Sequence, residues 1–260
     1  MSLTGKTKAG SYKDLLQINN SNSGVDATTR NVVDGEGTGS AISLSDDQLV
    51  ITPKSADGTA ILRVTDKDAN TLLAVDSSND VVKANGNAVN TNIKEFALDY
   101  VSASPDTADT WHALVSTYNL STSNELEMGT GSTPATSLTI TASAYIVVKH
   151  YWYVPADITI DSCNVWFGAD AASGDRVKFS VMSYTVDSAN GSTGGDLSSG
   201  VENCASPSTI AGAGREQSYF QQLTISTADV DAGKMIMACV HQDGTNADLT
   251  VNMQLVYHLR

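Results

Sequence analysis

Leu249-Thr250-Val251-Asn252-Met253-Gln254-Leu255-Val256-Tyr257-His258-Leu259 alternates apolar and polar side chains over eleven residues. Leu249, Val251, Met253, Leu255, Tyr257 and Leu259 fall on one face, with Thr250, Asn252, Gln254 and His258 on the other. A period of two is the signature of a β-strand with one face on a core. Val177, Phe179 and Val181 repeat the pattern opposite Lys178 and Ser180. Further strands are expected at Leu138–Ile140, Tyr145–Val154, Ile158–Phe167, Phe220–Ile225 and Lys234–His241. Turn chemistry at Ala172–Asp175, Ser188–Gly191 and Asp243–Thr245 punctuates them. So many strands in a region of this length predict an antiparallel β-sandwich, jelly-roll-like in its connections. Ser192–Gly214, rich in Gly, Ser and Ala, reads as a long loop.

The texture changes near residue 95. Upstream, short apolar stretches alternate with polar turns: Ala41–Leu44, Leu49–Ile51, Ala60–Val64, Leu72–Val75 and Val81-Val82. Asp-Gly and Asn-rich turns separate them. Ile61–Asp66 and Leu72–Ser77 share a loose pattern. Each strand offers only two or three apolar residues, and a thin sheet alone is marginal. Three chains packing their thin apolar faces on a shared axis would relieve this. Helical signal is poor, because Ser, Thr, Asn, Asp and Gly compete with the helix backbone; the two candidates are Ser11–Gln17 and a turn at Asn90–Phe96. Lys83–Thr91 reads as a linker. The chain is therefore expected to be all-β, with an arm at residues 1–22, a β stem at 23–95 and a β-sandwich head at 96–260.

Composition narrows the partners. The 260 residues carry a formal net charge of −14, with 15 Lys and Arg against 29 Asp and Glu. Nucleic-acid binding needs a basic footprint, which is not visible here. An anionic bilayer surface repels such a chain, and no apolar run is long enough to span a membrane. The acidity reads as solubility, or as mutual repulsion of crowded copies. The first thirteen residues reverse the sign locally, with Lys6, Lys8 and Lys13 and no acid. Cys163, Cys204 and Cys239 lack metal-ligand spacing. Cys163 and Cys239 fall in expected strands and read as small buried hydrophobes, consistent with a reducing compartment.

Catalytic patterns are absent from the sequence. There is no G-x-S-x-G elbow and no phosphate-binding G-x-x-x-x-G-K. Gly35-Glu36-Gly37-Thr38-Gly39 reads as a turn, and Asp66-Lys67-Asp68-Ala69-Asn70 as a hairpin turn, since it lacks the glycine and closing glutamate of a calcium loop. His112, His150, His241 and His258 are scattered. No catalytic residue, cofactor or metal ligand is expected. Tyr151-Trp152-Tyr153 with Trp166 and Phe167 forms an aromatic cluster. Alternation sends Tyr151 and Tyr153 away from Trp152, so one set faces a subunit interface or a glycan rather than the main core.

Leu3–Thr7, Ser11–Asn22, Gly24–Thr28, Val33–Thr38 and Ser40–Ser45 resemble the N-terminal stem of virion structural proteins of marine tailed bacteriophages. Leu73–Lys83 resembles a recurring fibre element, and Tyr151–Pro155 through Gly191–Thr193 the distal domain of such proteins. The resemblance covers most of the chain and rests on turns and strands rather than on a reaction. It implies a non-enzymatic fibre or decoration protein, homotrimeric, assembled in the host cytoplasm and displayed on the virion exterior. Lys6, Lys8, Tyr12, Leu15, Leu16 and Ile18 are the expected docking residues toward capsid or tail proteins, the apolar ones packing and the lysines steering. The alternative is a receptor-binding fibre whose head recognises a host-surface glycan through Trp111, Tyr151, Tyr153 or the 192–214 stretch.

Overall fold

Every named element of the computed structural model is a β-strand, and every strand pairing is antiparallel. The structure describes residues 15–21, 23–98, 109–116, 126–140, 147–170, 176–189, 191, 193–206, 210–211, 217–242 and 248–260. The chain divides into two compact units, Met1–Asn90 and Thr91–Arg260. The division falls at the start of the boundary zone, about residues 90 to 97, expected from the change of texture in the sequence.

The first unit holds two four-stranded sheets. One runs β1 (Gln17–Ile18), β2 (Arg30–Val33), β3 (Gly39–Leu44) and β4 (Leu49–Ile51) in sequence order. The other runs β5 (Leu62–Thr65), β6 (Thr71–Asp76), β7 (Val81–Ala84) and β8 (Asn87–Ala88) in the same way. Lys83–Thr91 is not a linker. Asn85 and Gly86 both have positive φ, 48° and 82°, and close a two-residue hairpin in which Lys83 faces Ala88. That geometry matches the twist of paired strands.

Aspartates hold other turns of the first unit. Asp34 accepts the backbone N–H groups of Glu36 and Thr38 at 2.9 and 2.8 Å. Asp66 accepts those of Asp68 and Asn70, each at 2.9 Å, so the hairpin reading of this segment stands. Asp76 accepts from Ser78 and Asn79 and pairs with Lys83 Nζ at 2.6 Å. Asp26 is gripped by Arg30 through two nitrogens and by the Thr28 N–H. The Arg30 bond chiefly lowers the Asp26 carboxyl to about 2. The Thr38 N–H, the Asn70 side chain and Lys83 lead in lowering Asp34, Asp66 and Asp76 respectively.

The second unit contains β9 (Thr91–Leu98), β10 (Thr110–Ala113), β11 (Tyr151–Tyr153), β12 (Ile158–Asp170), β13 (Arg176–Val186), β14 (Leu197–Ala205), β15 (Ile210–Ala211), β16 (Gln217–Gln222), β17 (Thr224–Ile225), β18 (Asp229–Val230), β19 (Met235–Gln242) and β20 (Asp248–Leu259). A five-stranded sheet has the order β16-β12-β20-β9, with β18 also on β12. A seven-stranded sheet has the order β10-β19-β13-β14-β17, with β11 on β19 and β15 on β13. One buried cluster draws Phe96, Val165, Phe167, Val251, Met253 and Leu255 from the first sheet and Phe179, Val181, Ile236, Ala238 and Val240 from the second. Phe167 and Phe179 meet across it with ring centroids 5.0 Å apart.

A second cluster lies on the other face of the seven-stranded sheet. Met182, Tyr184, Leu197, Met237 and Cys239 pack there with Trp111, Met128 and Val147. Strand β19 feeds both clusters, and Met235 through Val240 are all buried. The cover is the irregular 126–140 segment, whose backbone is satisfied locally. Met128 N–H donates to Trp111 O at 2.6 Å, Ala135 N–H to Met128 O at 2.6 Å, and Leu138 exchanges two 2.9 Å bonds with Leu197. The cover passes close over Gly200. A Cβ there would meet Tyr184 Cε1 at 2.7 Å and Thr136 Cα at 2.8 Å.

Several expectations are corrected. Asn90–Phe96 is no helical turn: Thr91 begins β9, which pairs with β20. The long strand expected at Tyr145–Val154 shrinks to Tyr151–Tyr153, because residues 147–150 form a turn closed by His150 N–H on Val147 O at 2.9 Å. Leu138–Ile140 contributes one bridge, Leu138 to Leu197. Phe220–Ile225 breaks at Leu223, β16 lying in the five-stranded sheet and β17 in the seven-stranded one. Ser192–Gly214 is not a loop throughout: its centre is the nine-residue strand β14. The expected faces of β20 hold through Leu255 and then change. A bulge in β12 between Ile160 and Ser162 leaves His258 buried and Leu259 53% exposed. The turns expected at Ala172–Asp175 and Asp243–Thr245 lie outside the described residues, as does most of the Ser11–Gln17 segment.

All three thiols are buried and free. A hydrogen bond with the Cys204 thiol raises the Cys163 thiol, with burial adding to it, and burial raises Cys239.

Acid tests the turns, and overpacking tests the cover. A carboxylate depressed in the folded state contributes stability above its unfolded value, near 4, and that stability is lost as pH falls through the folded value. NMR of the full chain is expected to show stem amide signals broadening between about pH 4 and pH 2 while those of β19 persist; unchanged stem signals at pH 2 would mean the aspartate bonds contribute nothing. Gly200→Ala overpacks the contact with Tyr184 and Thr136 and is expected to cost about 1–3 kcal/mol, read as a lower thermal midpoint.

Candidate interaction surfaces

The docking residues expected in the arm divide into two groups. Lys6, Lys8 and Tyr12 lie outside the described residues. Leu15 and Leu16 are 52% and 63% exposed, and Ile18 is half-buried in β1, opposite Val32. The same imbalance runs through the first unit. Among its described residues, Val25, Ile42, Leu49, Val50, Leu62, Val64, Leu72 and Val89 are also exposed, whereas the buried apolar residues are Val32, Val33, Ala74 and Val81. Strand β5 is exposed at every position, and it forms an edge of its sheet. Exposed aliphatic side chains along an unpaired edge form a template for association.

The head's expected contact residues also divide. Trp111 does not face outward. It is 2% exposed, inside the second cluster, and its Nε1–H donates to Gly131 O at 3.0 Å. Alternation in β10 and the cover segment together bury it, and the sequence gives no sign that residues 126–140 act as a cover. Tyr151 is half-buried against the same cluster. Trp152 points the other way, against the first cluster and Tyr257, with centroids 5.0 Å apart. Tyr153 is 51% exposed. The alternation expected for these three residues is present, and Tyr153 alone of the expected contact aromatics projects well into solvent.

A different pair is presented outward. Trp166 on β12 and Phe220 on β16 are directly paired across the sheet, with ring centroids 5.0 Å apart and planes tilted by 50°. They lie on the face opposite Val165 and Phe167, which point into the core. The strand register sets their row as Phe220, Trp166, Asn252 and Ala97. The next row on this face is Gln222, Asn164, Gln254 and Glu95. In it, Gln254 Nε2 donates to Glu95 Oε1 at 3.1 Å. On the other side of the aromatic row stand Ser218, Gly168 and Thr250. Trp166 is visible in the sequence as part of an aromatic cluster whose outward members alternation alone does not single out. Phe220 carries no such signal, because its partner becomes apparent only once β16 pairs with β12.

Other chemistry is sparse. His258 Nδ1 lies 2.9 Å from Asp161 Oδ1, the acid at the β12 bulge, and the ring is buried. Among the described residues no group of three His, Cys, Asp or Glu side chains converges as a metal site. Comparison with protein-family models, curated proteins and solved structures finds no significant match.

Acrylamide quenching of tryptophan emission checks the exposed face. Trp166, at 43% exposure, is expected to be the accessible ring beside buried Trp111 and half-buried Trp152. Trp166→Phe should therefore remove most of the quenchable emission; retention of it would show Trp166 covered in solution.

Proposed function

We propose that this chain is a non-enzymatic virion surface protein of a tailed bacteriophage, a fibre or decoration protein that docks on capsid or tail through its N-terminal arm. In this reading it is a homotrimer, made in the host cytoplasm and displayed on the particle exterior. The second unit is a jelly-roll-like sandwich and serves as the displayed head. The sandwich reading draws support from the buried cluster shared by the two head sheets and from the switch of sheets at Leu223.

The observation that carries the reading is the stem's apolar surface. Leu62, Val64 and Leu72 are 37%, 47% and 46% exposed, on sheets that bury few apolar residues. Two thin sheets of short strands gain little by folding alone. A second and third copy supply the missing cover without any new sequence. The arm fits the same picture, with Leu15 and Leu16 exposed beside the basic first residues. The resemblance of residues 3–45 to phage stem proteins supplies the virion context and the three-fold symmetry.

Light scattering behind a sizing column tests it. A solution mass near three times 27.2 kDa is expected. Replacing Leu62 and Val64 by Ser should lower that mass while the head keeps its melting transition. A monomer at micromolar concentration would overturn self-association through the stem. Particles that incorporate a chain lacking residues 1–20 normally would overturn the docking assignment.

A further inference from the structure

The outer face of the five-stranded head sheet differs in chemistry from the stem's exposed surface. The stem exposes aliphatic side chains, Leu, Val and Ile. The head face exposes an aromatic pair, Trp166 at 43% and Phe220 at 56%, with Asn252 beside Trp166 in the same row; its exposed aliphatic residue, Ile93, stands on β9 two rows away. Asn164 and Gln222 form the adjoining row. From this arrangement the geometry points to a binding site for a neutral oligosaccharide, centred on Trp166 and Phe220, with Asn164, Gln222 and Asn252 as its hydrogen-bonding rim. The site stands on the head alone and does not depend on the virion reading.

The match is chemical. A pyranose ring has an apolar C–H face and a rim of hydroxyls. Exposed aromatic rings offer a large rigid apolar surface with little conformational entropy to lose. A carboxamide both donates and accepts hydrogen bonds without charge, which is what a rim of hydroxyls requires. An apolar protein surface laid over the same face would leave the amides without partners, at a cost for each. A sugar satisfies them.

Charge narrows the class. After residue 95 the chain carries 6 basic and 17 acidic residues, a net of −11. Such a head repels acidic sugars. The aromatic row holds no ionisable side chain, and Glu95, at the far end of the next row, is engaged by Gln254. A neutral face on an anionic domain complements a neutral polar ligand.

Position adds preorganisation. Both rings and all three amides sit on paired strands, so their spacing is fixed by backbone register rather than by loops. Four strands at the usual separation span about 14 Å, room for several sugar rings in a row. Gly168, the next outward position beyond Trp166 on β12, presents no side chain.

The test uses the full chain against neutral oligomers of glucose, mannose and N-acetylglucosamine, with oligogalacturonate as the acidic control, by array and then calorimetry. At least one neutral oligomer is expected to bind with a Kd between micromolar and millimolar. Trp166→Ala should weaken it at least tenfold, and Phe220→Ala and Asn252→Ala should weaken it less. Tyr153→Ala, off this face, should leave it unchanged. Solution mass, measured on the same samples, should not move. Trp166→Phe, which keeps a ring, should retain part of the binding and guards against a folding defect in the Ala variant. The proposal is overturned if no neutral oligomer binds at about 10 mM, if only the acidic oligomer binds, or if Trp166→Ala with Phe220→Ala leaves binding intact. It is equally overturned if that pair changes the solution mass while the unaltered chain binds no sugar, which would make the face a contact between copies.

Discussion

Strand β19 runs through the middle of a sheet that must be covered twice. Its six consecutive buried residues, Met235 to Val240, send Ile236, Ala238 and Val240 to one cluster and Met237 and Cys239 to the other. Burial on both faces removes the polar face an antiparallel sheet usually offers to water. The five-stranded sheet covers one side through the Phe167–Phe179 contact. On the other side, among the described residues, the cover is a segment and not a second sheet. The 126–140 segment lies across Tyr184 and Leu197, and it is tolerable there only because its own backbone groups find partners in Trp111, Met128 and Leu197. Tyr184 completes the arrangement by donating its hydroxyl to Ala135 O at 2.8 Å. The close pass at Gly200 is the steric consequence of laying a loop this near a strand.

The first unit, Met1–Asn90, solves the opposite problem. It has little to bury, so its order comes from turns. Asp26, Asp34, Asp66 and Asp76 each collect several donors. An aspartate that accepts two N–H groups of its own turn fixes the hairpin locally, but local bonds do not replace a core. What they leave is a set of ordered strands with aliphatic side chains exposed. The two units therefore differ chiefly in what they bury, and the exposed pair of Trp166 and Phe220 belongs to the second alone.

The sequence signals these two regimes unequally well. Strands β12, β13, β19 and β20 are legible because long apolar alternation, or a continuous apolar run bounded by turn residues, matches the strand period and little else. The end of β20 is not, since the bulge that buries His258 sits in β12, and an inserted residue in one strand leaves no mark in its neighbour. Strand β14 reads as a loop because its Ser198-Ser199-Gly200 stretch lacks strand propensity; the glycine answers to the covering segment that passes over it, and the two serines are exposed. Asn85-Gly86 reads as a linker although Asn-Gly is the turn dipeptide for two-residue hairpins; the flanking strands are too short to announce themselves. Among the site residues, Tyr153 faces outward in keeping with alternation along β11. Trp111 does not, because its burial depends on a cover formed by residues 126–140, distant in sequence and irregular in pattern.

The division of faces within the head also sets where the aromatic pair falls. The seven-stranded sheet has side chains packed on both of its faces. The five-stranded sheet packs Val165 and Phe167 inward and turns Trp166 outward from the same strand. A Trp on a solvent face gives up its burial, and β12 places it directly opposite a second exposed ring, Phe220, rather than opposite a charged or hydroxylic residue. The two adjacent rings stabilise the strand pair as a cross-strand aromatic contact, and they leave an apolar surface open to solvent beside the amides of Asn164, Gln222 and Asn252. A ligand that met both would use the rings through contact area and the amides through directed hydrogen bonds.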